Sequence, residues 1–208
     1  MTRLARRATP DSASRSALSQ PRSWVPLVPP ARTPLPPPTL DPGAAAVAPD
    51  TIRLFSPDFP PDGPLPVACT CDGAGESPPL AWGGLPAGTA ALALICETAD
   101  APHGSLAHWV LYNLPAAARE LPRALPPGST PGGSRQGMND FGAPGYTGAC
   151  PPPGENYRYI FTLYALDSPL PLPPGASRTA VSEAMRGHVL ATGRLMATYR
   201  RRPAPPPR

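Results

Sequence analysis

The sequence predicts a mainly β protein with a β-sandwich fold. Several short runs are rich in aliphatic, aromatic and β-branched residues, which pack well on a pleated surface. Glycine and proline separate those runs, as expected for turns between strands. Only one segment carries clear helix signals. Many strands with frequent turns and little helix are typical of a sandwich.

The first predicted strands follow in order along the chain. TIRLFSPDF alternates at its start and ends at proline. PPLAWGGLPAGTAALALIC carries a short strand, a Gly/Pro turn and a long apolar strand, and AHWVLYNLP forms the next strand, closed by Pro115. The segment from Pro126 to Gly154 is rich in glycine and proline. Loops of this length are usually functional or disordered.

The C-terminal part supplies the remaining elements. SRTAVSEAMRG predicts one short helix, with Ser177 as N-cap and Gly187 at its end. HVLATGRLMATYR extends that helix or forms a last strand, and Gly193 with its β-branched neighbours favours the strand. RYIFTLYAL predicts a strand with one face formed by Tyr159, Phe161, Leu163 and Ala165.

Composition divides the chain into a folded part and two tails. Proline accounts for 37 of 208 residues, several-fold above the usual share of about 5%. Residues 1–50 are mostly Pro, Ala, Arg and Ser, and such a segment buries too little apolar surface to offset its ordering entropy. We therefore predict a disordered extension over 1–50, a folded domain over 51–201 and a disordered tail over 202–208. The Arg-rich, acid-poor extension also fits an organelle transit peptide, and a GC-rich genome explains the same composition.

Charge and hydropathy argue against two classes of partner. The formal charge is +4 and the chain contains no lysine, but much of the arginine lies in the tails. Nucleic-acid binding needs a basic patch with interleaved aromatic residues on the folded part, and the sequence shows none. No stretch approaches the ~18 apolar residues of a membrane span. We expect neither nucleic-acid binding nor a membrane span.

The four cysteines are Cys69, Cys71, Cys96 and Cys150. Cys69 and Cys71 can point to the same side of an extended segment, which is poor geometry for a mutual disulfide. No second pair follows at zinc-ligand spacing. The default is free thiols in a reducing compartment, hence a cytoplasmic protein, or an organellar one if the extension is a transit peptide. A disulfide from Cys69 or Cys71 to Cys150 stays open.

Motifs for enzyme chemistry are weak. No serine has a Gly-x-Ser-x-Gly neighbourhood, and no glycine-rich phosphate loop leads into a helix. Glu97, Asp100 and Asp140 are hard to assemble into a carboxylate pair. Cys150 with His108 is the only nucleophile–base pair to consider, and it makes a hydrolase the less favoured alternative. We expect a binding protein without catalytic residues, cofactor or metal.

Four separated motifs occur in one order: CTCDGAGESPPLAW, TADAP, HWVLYNLP and GYTGACPPPGENYRYIFTLYALD. Together they resemble the phosphatidylethanolamine-binding protein family, particularly its bacterial Raf-kinase-inhibitor-like branch. The resemblance extends from about Ile52 to Arg200 and includes AMRGHVLATGRLMATY near the end. It implies an antiparallel sandwich with a few short peripheral helices. It also implies a small cavity at one end that accepts phosphate-like head groups, acetate or phosphorylated peptide.

The resemblance assigns site residues position by position. His108 matches the pocket histidine, and Asp100 matches the second aspartate of the family's Asp-Pro-Asp motif. Cys150 lies where the family offers a backbone N–H, just before Pro151, and Tyr159 matches the tyrosine of its His-Arg-Tyr motif. The residue chemistry agrees with an anion pocket. A histidine titrates near neutral pH, proline-rich turns leave backbone N–H groups free, and tyrosine hydroxyls donate without charge.

Two other positions of the site depart from the family pattern. Thr98 stands where the family has its first aspartate, and Tyr157 stands where it has a second histidine. Glu97 lies one residue earlier, so its side chain is expected on the opposite face of the strand. We infer a smaller and less titratable pocket. A degenerate pocket that binds nothing is the alternative.

For two further side chains the sequence leaves two roles open. Asp100 either caps its own turn or lines the pocket. Arg158 is expected on the opposite face from Tyr159, in a structural ion pair or a surface contact.

The sequence therefore predicts non-catalytic binding of a small anion or a phosphorylated group, with regulation of a kinase or a protease as an associated role and a homodimer as an option. The alternative is an interaction or scaffold protein. The predicted ligand-binding residues are Thr98, Asp100, His108, Cys150, Pro151, Tyr157 and Tyr159.

Overall fold

The computed structural model describes residues 51–102, 104–128 and 131–203. Two antiparallel sheets form the fold. The first has the order β1-β2-β5, with β1 (Arg53–Phe55), β2 (Leu80–Gly83) and β5 (Glu120–Leu121). The second has the order β6-β4-β3-β7-β8, with β3 (Ala91–Thr98), β4 (Leu106–Pro115), β6 (Arg135–Gln136), β7 (Asn156–Leu166) and β8 (Val189–Arg200).

The main core lies between the two sheets, which confirms the predicted sandwich. Apolar side chains of both sheets alternate into this layer and are buried. The three-stranded sheet contributes Leu54, Leu80, Trp82 and Leu121, and the five-stranded sheet contributes Leu92, Leu94, Trp109, Phe161 and Leu195. The predicted alternation of β7 is confirmed, because Tyr159, Phe161, Leu163 and Ala165 all belong to this core.

The opposite face of the five-stranded sheet is covered by a second core. Ala93, Ile95 and Val110 pack there with Val181 of α1 (Arg178–Ala184). The predicted N-cap is confirmed: the Ser177 hydroxyl accepts a hydrogen bond from the Ala180 N–H. In the part of the chain that the structure describes, no helix has the length and apolar character to cross a membrane.

The last segment forms a strand, as predicted. Gly193 permits its close approach to the start of the domain, since a Cβ atom there would lie 2.3 Å from the Ile52 carbonyl oxygen. Ile52 N–H donates to the Thr192 carbonyl at 3.0 Å. The predicted extension over 1–50 and residues 204–208 of the predicted tail lie outside the described residues, so those predictions stay predictions.

The prediction of four free thiols is wrong. Cys71 and Cys150 form a disulfide with a Cα–Cα distance of 5.3 Å, which confirms one of the pairings left open. Cys69 and Cys96 are free and buried. Val67–Cys69 form a 3₁₀ turn rather than an extended segment. The pairing depends on a contact between segments 79 residues apart, which no local pattern reports.

Candidate ligand-binding site

The candidate site lies at the start of β4, where one residue is inserted into the strand. Glu97 of β3 pairs with Ala107, and Cys96 pairs with Trp109, so His108 has no partner on β3. Such a β-bulge redirects a side chain relative to the regular alternation. Trp109 belongs to the core between the sheets, and His108 also turns to this side, against Tyr159 of the same core.

The His108 ring is enclosed by the loop of residues 137–155 between β6 and β7. We call it the second loop, because it follows the β3–β4 loop, the first loop, along the chain. Its Nδ1 lies 2.9 Å from the Thr147 carbonyl oxygen. Because a carbonyl only accepts, Nδ1 carries the proton and donates. Thr147 N–H donates in return to the His108 carbonyl at 2.8 Å. The rings of Phe141 and Tyr159 lie 4.7 and 5.1 Å from the imidazole, between centroids.

The environment of His108 favours its neutral form. The residue is only 2% exposed. Burial lowers the pKa of His108 below its usual value of 6.5. Hydrogen bonding to the Thr147 backbone, the charge of Asp140 and hydrogen bonding to the Gly148 backbone oppose this shift without cancelling it. At neutral pH the ring is therefore mostly uncharged.

Asn139 fixes the conformation of the second loop near His108. Its Oδ1 accepts from the N–H groups of Phe141 and Ala143 at 3.0 and 3.1 Å. Its Nδ2 donates to the Gly145 carbonyl at 3.1 Å and to Thr147 Oγ1 at 2.8 Å. The side chain is buried with its four hydrogen bonds made. This loop holds Phe141 against His108 while the aromatic residue stays 48% exposed.

Tyr159 links His108 to Cys150. The tyrosine is buried beside the imidazole in an edge-on arrangement. Burial raises the pKa of Tyr159, and a backbone hydrogen bond from Cys150 opposes the shift. The backbone group that the resemblance offers to an anion therefore lies against the Tyr159 hydroxyl. Pro151 follows Cys150 and is buried.

Asp100 connects the first loop, residues 99–102 and 104–105 between β3 and β4, to strand β7. Its carboxylate accepts from the backbone N–H of Arg158 at 2.6 Å and from Arg158 Nη2 at 2.5 Å. The Asp100 side chain is only 4% exposed. The predicted structural ion pair of Arg158 is confirmed. Asp100 is thus a tie between two elements rather than a cap of its own turn.

Thr98 caps the turn instead. Its Oγ1 accepts from the Asp100 N–H at 3.4 Å, and its side chain is buried. Burial raises the pKa of Asp100, but the side-chain and backbone hydrogen bonds from Arg158 together with its charge outweigh burial, so the pKa is lowered from 3.8. The carboxylate stays ionised and its charge is balanced by the guanidinium.

Tyr157 lies at the start of β7, opposite Tyr199 of β8. It is half-buried and packs against the core between the sheets. Burial raises the pKa of Tyr157, and the charges of Glu155 and Asp100 add to this effect. The prediction that Tyr157 fills part of the pocket stays a prediction, since the rings that contact His108 here are those of Phe141 and Tyr159.

Glu97 faces away from the site, as predicted. Its Oε2 accepts from the Ser105 hydroxyl at 2.9 Å and lies 3.4 Å from Nη1 of Arg178 on α1. The same arginine lies 3.6 Å from Asp140, whose carboxylate accepts from the Ala107 N–H at 2.7 Å. These contacts brace the bulge from the helix-covered side of the sheet.

The structure brings six of the seven predicted ligand-binding residues into two groups, and the seventh is Tyr157 at the start of β7. His108, Tyr159 and the Cys150 backbone form one chain of contacts, with Pro151 next to Cys150. Thr98, Asp100 and Arg158 form the other. Sequence reasoning missed Asn139, Phe141 and Thr147, although it marked their loop as functional or disordered. Asn139 three residues before a glycine is a turn signal, but its four partners could not be read from it.

His188 also lies beside an aspartate and a serine, but not as a catalytic triad. Its Nδ1 lies 2.8 Å from Asp167 Oδ1 and 3.2 Å from the Ser168 hydroxyl. A triad needs the serine and the acid on different ring nitrogens. This exposed group ties the start of β8 to the end of β7.

Comparison with known proteins places the chain in one family. The family model described as phosphatidylethanolamine-binding protein matches residues 55–200. A UPF0098 protein of Methanothermobacter thermautotrophicus is 50% identical over 140 residues, which cover 67% of this chain and 92% of that protein. LppC of Mycobacterium tuberculosis, named as a proposed lipoprotein, is 36% identical over 162 residues, covering 77% of this chain and 78% of its own.

Two solved structures share the fold. A phosphatidylethanolamine-binding protein homologue of Chlamydia trachomatis, CT736, has a TM-score of 0.66 and 35% identity, covering 72% of this chain and 97% of that chain. YbcL of Escherichia coli, described as a member of the mammalian family, has a TM-score of 0.67 and 30% identity. The match covers 72% of this chain and 98% of the YbcL chain.

Proposed function

The chain belongs to the phosphatidylethanolamine-binding protein family, and we propose that it binds a small anion or phosphate head group beside His108 without catalysing a reaction. The observation that carries this proposal is the β-bulge. It places His108 outside the regular pairing with β3, where the second loop and Tyr159 contact it. A donor set that is held rigidly before the ligand arrives loses little entropy on binding.

The charge balance of the site supports an anionic ligand. The Asp100 carboxylate is paired with Arg158 at 2.5 Å, so its negative charge is compensated locally. Thr98 is uncharged where the family has an aspartate. Because Nδ1–H of the neutral His108 ring donates to Thr147, its other ring nitrogen is an acceptor. A hydrogen phosphate therefore donates its own hydroxyl to this nitrogen and accepts from the Tyr159 hydroxyl, and the Asp100 charge nearby is compensated.

Titration followed by NMR of the histidine rings tests the proposal. Inorganic phosphate and phenyl phosphate are added separately to the protein with its disulfide intact. We expect saturable shifts of the His108 ring signals and much smaller shifts at His188, which is paired with Asp167 and serves as an internal control. A His108→Gln variant, which lacks the reporter ring, should lose binding of both compounds when the binding is measured by isothermal titration calorimetry.

The same titration separates this function from its main alternative. If neither phosphate compound perturbs His108 more than His188, the binding proposal fails. A scaffold role with a degenerate pocket then remains. Regulation of a kinase or a protease is a further proposal, which binding assays with those partners test. Assembly into a homodimer is another, which sedimentation analysis tests.

The non-catalytic part of the proposal rests on Cys150. Its sulfur is bonded to Cys71 and cannot act as a nucleophile while the disulfide is intact. We expect no hydrolysis of aryl esters or aryl phosphates above the rate of a His108→Gln variant. Turnover by the oxidised protein that depends on His108 would contradict this.

The compartment is a separate proposal. The sequence predicts the cytoplasm because four free thiols suit a reducing environment, and the disulfide removes that reason. The likeness to LppC is in line with export. We expect acid-quenched trapping of cellular thiols to recover Cys71 and Cys150 as a disulfide. Free thiols at both positions would favour the cytoplasm, as the sequence predicts.

A further inference from the structure

We propose that the Cys71–Cys150 disulfide is a redox switch for the anion site. Its reduction releases the wall formed by Thr147, Gly148, Ala149 and Cys150 and weakens anion binding at His108. This inference rests on the proposed function. Its two ingredients are the contacts of that wall with the site residues and the exposure of the disulfide that holds it.

The wall contacts both site residues that lie under the bulge. Thr147 pairs with His108 through two hydrogen bonds, one to the ring at 2.9 Å and one to the backbone carbonyl at 2.8 Å. Cys150 lies against the Tyr159 hydroxyl through its backbone. A displacement of four consecutive residues therefore changes the position of the imidazole and of the tyrosine hydroxyl together.

Gly148 and Ala149 of the wall are anchored to the segment that carries the other cysteine. Ala149 N–H donates to the Cys69 carbonyl at 3.1 Å, and Cys71 N–H donates to the Ala149 carbonyl at 3.0 Å. Gly148 packs against this segment so closely that a Cβ atom would lie 3.0 Å from the Thr70 carbonyl carbon. The disulfide is the covalent member of these contacts.

The two sides of the disulfide are held unequally. Beyond Cys71, the Asp72 carboxylate accepts from the Tyr199 hydroxyl at 2.6 Å and from Arg201 Nε at 3.1 Å, which fixes that segment to β8. Beyond Cys150, Pro151, Pro152 and Pro153 have no N–H donor, and the next N–H tie to the C-terminal segment is that of Gly154 to the Arg201 carbonyl at 2.9 Å. Reduction is therefore expected to free the Cys150 side.

A dithiol can reach this bond selectively. Cys71 and Cys150 are exposed, whereas Cys69 and Cys96 are buried thiols. One thiolate of the dithiol attacks a sulfur of the disulfide, which gives a mixed disulfide and one protein thiolate. The second thiolate of the dithiol attacks the mixed disulfide and releases the second protein thiolate. Two protons complete the protein thiols, and the dithiol ends as its cyclic disulfide.

The experiment measures phenyl phosphate binding to the same protein before and after reduction by dithiothreitol. We expect at least tenfold weaker binding after reduction, with recovery after reoxidation. Iodoacetamide should label two cysteines only in the reduced, folded protein. The matched variant, Cys71→Ser with Cys150→Ser, should bind like the reduced protein and should not respond to dithiothreitol.

Three outcomes overturn the inference. Equal affinity before and after reduction, with two cysteines labelled and circular dichroism unchanged, shows that the disulfide does not control the site. Unfolding on reduction, at a temperature where the oxidised protein is folded, assigns the disulfide a structural role only. Failure of the oxidised protein to bind phenyl phosphate removes the proposed function itself and the switch with it, which distinguishes that failure from the first two.

Discussion

The two loops that border the candidate site are held by different kinds of interaction. The first loop, residues 99–102 and 104–105, is tied to β7 by the charges of Asp100 and Arg158. The second loop, residues 137–155, is tied by the neutral hydrogen bonds of Asn139 and by the Cys71–Cys150 disulfide. The first attachment therefore responds to pH and the second to redox conditions, so each loop can be perturbed while the other is kept.

The largest expected effect comes from breaking the covalent tie of the second loop. The Cys71→Ser with Cys150→Ser variant should lower the free energy of unfolding by about 4 kcal/mol, because the disulfide restricts a long loop of the unfolded chain. Denaturant unfolding of the oxidised protein and the variant measures the loss. The variant is its own control for reagent effects, since dithiothreitol should shift the midpoint of the wild type only. A loss below 1 kcal/mol would contradict the assigned role.

The next effect comes from the neutral ties of the same loop. Asn139→Ala should cost about 3 kcal/mol, because it leaves buried backbone groups of the turn without partners. Asn156→Ala is the matched control: Asn156 is exposed at the start of β7, and its replacement should stay within about 0.5 kcal/mol. Similar losses for the two variants would mean that Asn139 does not organise the loop.

A smaller effect is expected from the charged tie of the first loop. Asp100→Asn should cost about 1–2 kcal/mol at pH 7, because hydrogen bonds to a charged group are replaced by neutral ones. The pKa of Asp100 is lowered in the folded state. Its stabilisation is therefore complete above the unfolded-state value near 3.8 and is lost as the pH falls through the folded-state pKa.

Urea unfolding at pH 7 and near pH 3 measures this pH dependence. The difference between wild type and Asp100→Asn should shrink at the lower pH. Asp62→Asn, at an exposed turn position, controls for the loss of one carboxylate. A difference between wild type and Asp100→Asn that is the same at both pH values would refute the charged tie.

The smallest effect on stability is expected at Phe141, where the readout is the pKa of His108. Phe141→Ala uncovers the imidazole, so the pKa should rise towards 6.5 because burial is the main cause of its lowering. An NMR titration of the histidine rings measures it. Phe55→Ala is the control, because Phe55 is 42% exposed and Phe141 is 48% exposed. An unchanged His108 pKa in Phe141→Ala would show that Phe141 does not shield the ring.

The sequence predicts the long strands well because their signal is local. The alternation of β7 indicates which of its residues face the core between the sheets, and the apolar run of β3 indicates a strand that is buried on both faces. The two-residue strands β5 and β6 are too short to carry a period. Glu120 and Leu121 become a strand only by pairing with Ala81 and Leu80.

Within the candidate site, the motifs themselves carry His108, Tyr159 and Asp100, and the role of these residues in binding stays a prediction. The site was not predictable where the partner is chosen by tertiary contact. Asn139 becomes important only because the turn brings four partners to one amide. Cys71 meets Cys150 because a backbone bridge between Thr70 and Ala149 brings their segments together.

The inserted residue at position 108 also affects how this protein can diversify. Ala107 and Trp109 keep their pairing with β3 on either side of it. The ladder and both cores are therefore specified without residue 108. If His108 binds a ligand as proposed, substitutions at this position would change what is bound while the strand keeps its register, whereas the same changes at the flanking positions would disturb packing. Ligand preference and strand register would then depend on different, adjacent residues.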